Sequence, residues 1–125
     1  MAVMIVDDAV TARMMTKAFL QDLGFGEIHA AEHGVEALEL IEELDALELV
    51  VVDWNMPYMT GVEFIRELRA RPEFGETKVL MMTTETGMEK IIEALTAGAD
   101  EYMMKPFTKD MLADKLQIMG VEAHS

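Results

Sequence analysis

The feature that most restricts how this chain can fold is a repeated alternation of short, nearly continuous apolar runs with amphipathic stretches. The apolar runs are Val3–Val6, Leu47–Val52, Lys78–Met82 and Tyr102–Met104, with Glu27–Ala31 as a weaker member. A strand wet on one face alternates apolar and polar residues, whereas a strand apolar throughout is buried on both faces. Between the runs lie segments with helical spacing. Thr11–Leu23 is one, with Gly24 suited to the left-handed position after its end. Gly34–Leu44 places Val35, Leu38, Leu40 and Ile41 on one face. Thr60-Gly61-Val62-Glu63 has capping-box spacing and opens a helix carrying Val62, Ile65 and Leu68, which Pro72 stops. Thr86-Gly87-Met88-Glu89 repeats that spacing before Ile91, Ile92 and Leu95, with Gly98 as C-terminal cap. Thr108–Met119 is the last helix. Five strands alternating with five helices predict an α/β domain, a single doubly wound parallel sheet covered on both faces.

A chain of 125 residues, half of them apolar, fits one domain with a real core. Nothing in residues 1–125 reads as a linker, repeat or second domain. No apolar run approaches the roughly 20 residues of a membrane-spanning helix, so membrane insertion is not expected. The N-terminus enters strand pattern at once, without a signal peptide. The absence of cysteine removes disulfides and thiolate metal sites, in keeping with a reducing cytoplasm. The net charge of −14 repels phosphate backbones and argues against nucleic-acid binding. Eight carboxylates and no Lys or Arg lie between Glu27 and Glu48, the pattern of a solvated acidic face or a docking surface for a basic partner. Thirteen methionines are expected mainly as core filling.

The polar residues with chemistry fall where strands end. Asp7 and Asp8 follow the first run, Asp53 the third, Thr83 the fourth and Lys105 the fifth. Ligands of open α/β sheets bind outside the carboxyl ends of the strands. One aspartate there is an ordinary turn former or helix cap. Three together repel one another, and a hard divalent cation such as Mg²⁺ removes that conflict through oxygen ligands. Lys105 precedes Pro106, which restricts its backbone and gives the bond access to the cis form. A carboxylate nucleophile, a cation, an ammonium and a hydroxyl together suit phosphoryl transfer. His29, His33 and His124 stand elsewhere and are expected as surface or partly buried residues.

Over nearly its whole length the chain resembles the response-regulator receiver domain of two-component signalling. The matching stretches are Val6-Asp7-Asp8, Asp53-Trp54-Asn55-Met56-Pro57, Gly61, Thr83, Ala97-Gly98-Ala99-Asp100 and Lys105-Pro106-Phe107. The resemblance implies a flavodoxin-like sheet of strand order 2-1-3-4-5, with Asp53 as phosphoacceptor. Asp8, Asp53 and the Asn55 backbone carbonyl would ligate Mg²⁺, Asp7 would act through a bound water, and Thr83 and Lys105 would contact phosphoryl oxygens. Tyr102 stands at the position of a switch aromatic. The Asp53–Pro57 stretch, with Asn55 and Glu85, looks most like the chemotaxis branch of the family. Asn55, Thr84 and Glu85 lie where water's access to the phosphoryl group is set. Thr84 replaces a commonly smaller residue, and Met88 a polar one.

The resemblance implies a stand-alone, monomeric, non-enzymatic switch phosphorylated by a sensor histidine kinase. Its output surface would be the fourth helix, fifth strand and fifth helix, with Ile91, Tyr102 and Lys115 on it. The expected reader is a flagellar motor switch protein or a phosphatase. A phosphorelay intermediate or phosphate sink would share the chemistry without motor output. A flavin-binding electron carrier of the same architecture would want a hydroxyl- and glycine-rich loop where Asp7-Asp8 stand. An aspartate-nucleophile phosphatase would want a second acid at Asn55.

Overall fold

The computed structural model describes residues 2–85 and 87–123. Five strands, β1 (Ala2–Val6), β2 (Glu27–Ala31), β3 (Leu49–Asp53), β4 (Lys78–Thr83) and β5 (Glu101–Met104), form one sheet in the order β2-β1-β3-β4-β5. All four pairings are parallel. The helices are α1 (Val10–Asp22), α2 (Gly34–Ile41), α3 (Gly61–Arg69), α4 (Met88–Ala97) and α5 (Lys109–Met119), with a 3-10 turn at Pro72–Phe74. Fold class and strand order are those expected from the sequence.

The apolar runs divide by alternation. Val3, Ile5, Leu49, Val51, Leu80, Met82 and Met103 point into one core with Leu20, Leu112 and Leu116 of α1 and α5. Met4, Val6, Val50, Val52, Val79 and Met81 point into the other, against α2, α3 and α4. Two buried faces explain why these strands carry no polar alternation. β2 gave the weaker signal because it is an edge strand with only Ala31 fully buried.

Helix ends follow local chemistry. Thr60 and Glu63 form the expected reciprocal capping box of α3. Thr108 caps α5 through Met111 N, and Gly24 and Gly98 hold positive φ after α1 and α4. The second expected capping box includes Thr86, which lies outside the described residues; α4 has Gly87 at its N-cap. Lys105-Pro106 is cis.

Two helices differ from expectation. The α2 helix ends at Ile41 rather than Leu44, and Val35 is 41% exposed. His33 caps the helix through Glu36 N; Gly34, Ala37 and Ile41 are buried, and Leu38 and Leu40 pack partly against the same core. In α4 the bulky residues Ile92 and Leu95 are 54% and 43% exposed, and Ala94 is the buried contact. A small residue lets this helix approach α3 and β5 closely. The methionines also divide. Met4, Met81, Met82, Met103 and Met119 fill the core, whereas Met14, Met15, Met88 and Met111 are exposed.

Gly61 fixes the start of α3 against the end of β3. Its amide donates to the Trp54 carbonyl at 2.8 Å. A Cβ at this position would run into the Asp53 carbonyl oxygen and reach within 3.1 Å of Trp54 Cα, both backbone atoms. Gly61→Ala is therefore expected to destabilise the fold by about 2 kcal/mol through forced backbone shifts. Urea unfolding of both proteins measures this as a lower midpoint at unchanged slope.

Candidate functional site

Strand register builds the site. Val6 pairs with Val52, so Asp7 and Asp53 leave adjacent strands side by side. Asp53 pairs with Met82, and Thr83 with Met104, so Thr83 and Lys105 come next along the same edge. In this strand order β1 and β3 flank the switch point, where connections diverge to opposite faces and leave a crevice. The chain thus delivers Asp7, Asp53, Thr83 and Lys105 from four strands to one edge.

Asp7 is fully buried. Its Oδ1 accepts from Ala9 N at 2.9 Å, a local turn that carries Asp8 to the surface. Its Oδ2 accepts from Lys105 Nζ at 2.9 Å. The same ammonium lies 3.3 Å from Asp53 Oδ2. One carboxylate oxygen from each of Asp7, Asp8 and Asp53 lies within 4.8 Å of the other two. Three carboxylates therefore cluster, and one ammonium contacts two of them, Asp7 and Asp53. Burial, reinforced by the charge of Asp7, raises the Asp53 carboxyl above its ordinary range despite the opposing pull of Lys105. Burial acts to lower the Lys105 ammonium, but its hydrogen bond to Asp7 and the charges of Asp53 and Asp7 outweigh this, and the net shift is upward. One Lys105 charge thus faces three carboxyl groups and offsets them only in part.

This donor set fits Mg²⁺. All the donors are carboxylate oxygens, Asp8 is exposed, and the crowding of like charge is what a hard cation relieves.

Thr83 is buried, and its hydroxyl accepts from Glu85 N at 2.8 Å, closing a turn at the start of the β4–α4 loop. Asn55 and Thr84 are exposed and Glu85 half-buried, on the β3–α3 and β4–α4 loops. Tyr102 and Ile91 are half-buried on β5 and α4, and Lys115 lies on α5 with its ammonium 5.1 Å from the Tyr102 ring centroid. These three stand apart from the carboxylate cluster.

Three residues near the site were not singled out from the sequence. Arg13 donates to the Asp7 carbonyl at 2.8 Å and holds the β1–α1 turn. Its signal was one basic residue on a helix, indistinguishable from a surface arginine. Lys90 places its ammonium 5.3 Å from the ring centroid of Trp54, the neighbour of Asp53. His33, expected as an ordinary surface or partly buried histidine, caps α2 and meets Tyr58 edge-on at 4.9 Å between ring centroids; the pattern His33-Gly34 ahead of an apolar period carried that signal.

The profile of the response regulator receiver domain matches residues 3–117. The chain belongs to this family. Chemotaxis protein CheY-3 of Vibrio cholerae is 43% identical over 116 residues, covering 93% of this chain and 88% of that protein. Chemotaxis protein CheY1 of Helicobacter pylori is 40% identical over 119 residues, covering 95% and 96%. Among solved structures, the chemotaxis response regulator CheY4 of Vibrio cholerae superposes with a TM-score of 0.88 at 37% identity, over 94% of this chain and 97% of that one. The chain is thus a CheY-like receiver, a signalling domain. Receiver domains generally bind Mg²⁺ at an acidic pocket, and Asp7, Asp8 and Asp53 form the acidic cluster of this one. Among the described residues, no helix is long and apolar enough to cross a membrane.

The raised Asp53 carboxyl has a consequence for stability. A carboxyl that holds its proton more tightly when folded stabilises the fold at low pH. That contribution is lost as pH rises from the ordinary carboxylate range through the raised value. In a chelating buffer, Asp53→Asn is therefore expected to melt above wild type at neutral pH, with the gap closing as the buffer is acidified. Thermal melts of the two proteins across that range check this.

Proposed function

We propose that this receiver is a phosphorylation-dependent switch of chemotaxis signalling, with Asp53 as the acceptor. The observation that carries the proposal is the meeting of Asp53 with Asp7, Asp8 and the Lys105 ammonium at one sheet edge. The relatives named as chemotaxis proteins support the chemotaxis assignment.

In this reading an Asp53 carboxylate oxygen attacks the phosphorus of a phosphohistidine on a sensor histidine kinase. The P–N bond breaks, and the imidazole leaves and takes up a proton. Asp8, Asp53 and the Asn55 backbone carbonyl would hold Mg²⁺, which when bound offsets negative charge on the phosphoryl oxygens. Lys105, already between Asp7 and Asp53, binds one of those oxygens without having to be recruited. Thr83 gives up the turn it forms with Glu85 N and donates its hydroxyl to another. That movement pulls on the β4–α4 loop and shifts an existing equilibrium at α4, β5 and α5, with Tyr102 turning inward. Asn55, Thr84 and Glu85, on the loops that follow β3 and β4, would govern the attack of water on the acyl phosphate, which resets the switch.

Output passes to a protein partner at the surface carrying Ile91, Tyr102 and Lys115. The flagellar motor switch is the reader that fits the chemotaxis relatives, which makes the domain a cytoplasmic component. Beryllofluoride, which mimics the phosphoryl group on aspartate, is expected to tighten binding to a motor switch protein by tenfold or so, the size of ordinary allosteric coupling. Titration calorimetry with and without the mimic measures it. An unchanged affinity would instead select a phosphorelay intermediate or phosphate sink.

A further inference from the structure

Tyr102 is held from an unexpected direction. Its partner on β4 is Met81, and Met104 pairs with Thr83, so the Tyr102 side chain shares the sheet face of Thr83 and packs beside the α2–α3–α4 core. Lys115 comes from α5, whose Leu112, Leu116 and Met119 pack on the opposite face. Its side chain reaches around β5, the edge strand, and sets its ammonium 5.1 Å from the centroid of the Tyr102 ring. The ammonium is anchored there. Glu101 Oε1 lies 3.2 Å from Lys115 Nζ and also accepts from Tyr102 N at 3.0 Å. One carboxylate thus ties the backbone of Tyr102 to the cation that covers its ring. The side chains of Lys115 and Glu101 are 29% and 20% exposed, so water weakens these contacts less than at an open surface.

We infer that Glu101 and Lys115 form a clamp that holds the Tyr102 ring at the β5 edge and sets the resting bias of the switch. Both are positioning residues, acting through Tyr102 and not on the phosphoryl group. The clamp deepens the proposed function and rests on its assignment of Tyr102 as the moving aromatic. A ring that turns inward along the Thr83 face leaves the ammonium behind. The cation–π contact therefore favours one of two states, which is the condition for any contact to shift an equilibrium. Beside it, a recess of about 300 Å³ lined by Tyr102, Met104, Met111 and Lys115 gives ring and ammonium room to part. The remaining arrangement is specific: Lys115 alone would be a mobile surface cation, and Glu101 is what keeps it over the ring.

The chain has two tyrosines, so protein labelled with meta-fluorotyrosine gives two fluorine resonances, with the 83% exposed Tyr58 as reference. Lys115→Met keeps the aliphatic stem and removes the charge. In the resting protein it is expected to move the Tyr102 resonance toward its beryllofluoride-bound position, with the inward population raised about two- to fivefold. Glu101→Gln keeps an acceptor for Tyr102 N but frees Lys115, and should move the resonance part of the way. Lys115→Arg retains a stacking cation and should restore the wild-type position. Phosphoryl uptake at Asp53, measured separately by mass in wild type, tests the acceptor and not the clamp. The clamp is overturned if Lys115→Met and Glu101→Gln both leave the resting resonance in place, or if beryllofluoride does not move Tyr102 in wild type. Failure of phosphoryl uptake in wild type would count against the proposed function alone, since the resting spectra still decide the clamp.

Discussion

The site depends on one interaction, the Lys105 ammonium lodged between Asp7 and Asp53. Without it three carboxylates would converge on a largely buried strand edge with no counter-charge. A buried ion pair seldom adds net stability, because desolvation cancels most of the attraction, but removing one member leaves the other stranded at a cost of about 3–5 kcal/mol. Asp7 is fully buried and Lys105 mostly so, which places the pair in that regime. The pair leaves a negative excess at Asp8 and Asp53, and this excess suits the edge to a cation. The same ammonium also lies 3.3 Å from Asp53 Oδ2, the attacking oxygen in the proposed function. In that reading, structural neutralisation and transition-state stabilisation would be two uses of one lysine.

Much of this was legible in the sequence because burial on both sheet faces writes itself as uninterrupted apolar runs. Once strands end at Val6, Val52, Met82 and Met104, parallel pairing forces Asp7, Asp53, Thr83 and Lys105 onto one edge. No residue of that edge could have been assigned in isolation. Register, set by the apolar pattern, gives each its neighbours. The capping box at Thr60 was legible for a similar reason, since both partners lie within one turn.

What the sequence hid was governed by distant packing. Hydrophobic spacing in α4 suggested a buried stripe of large residues, but the helix packs through Ala94 and leaves Ile92 and Leu95 to water. In α2 the expected face holds for Leu38, Leu40 and Ile41, which pack on the core, but Val35 in the first turn is left exposed. Arg13, Lys90 and the Glu101–Lys115 pair act through contacts that depend on where whole helices land, and a lone basic residue in a helical pattern gives no sign of them. These misses fall on α1, α2, α4, β5 and α5, where tertiary packing and not local spacing decides what each side chain meets. An exposed apolar face on α4 departs from core economy and agrees with a surface built to be read by a partner.

The central claim is that Asp53 accepts a phosphoryl group at a site that requires Mg²⁺. Incubation with acetyl phosphate, followed by intact mass measurement of wild type and Asp53→Asn, tests it most directly. The account predicts one added phosphoryl group in wild type, removable by hydroxylamine, absent when Mg²⁺ is chelated and absent from Asp53→Asn. An equal mass increase in Asp53→Asn would contradict it, as would no increase in wild type with either acetyl phosphate or a phosphorylated histidine kinase as donor.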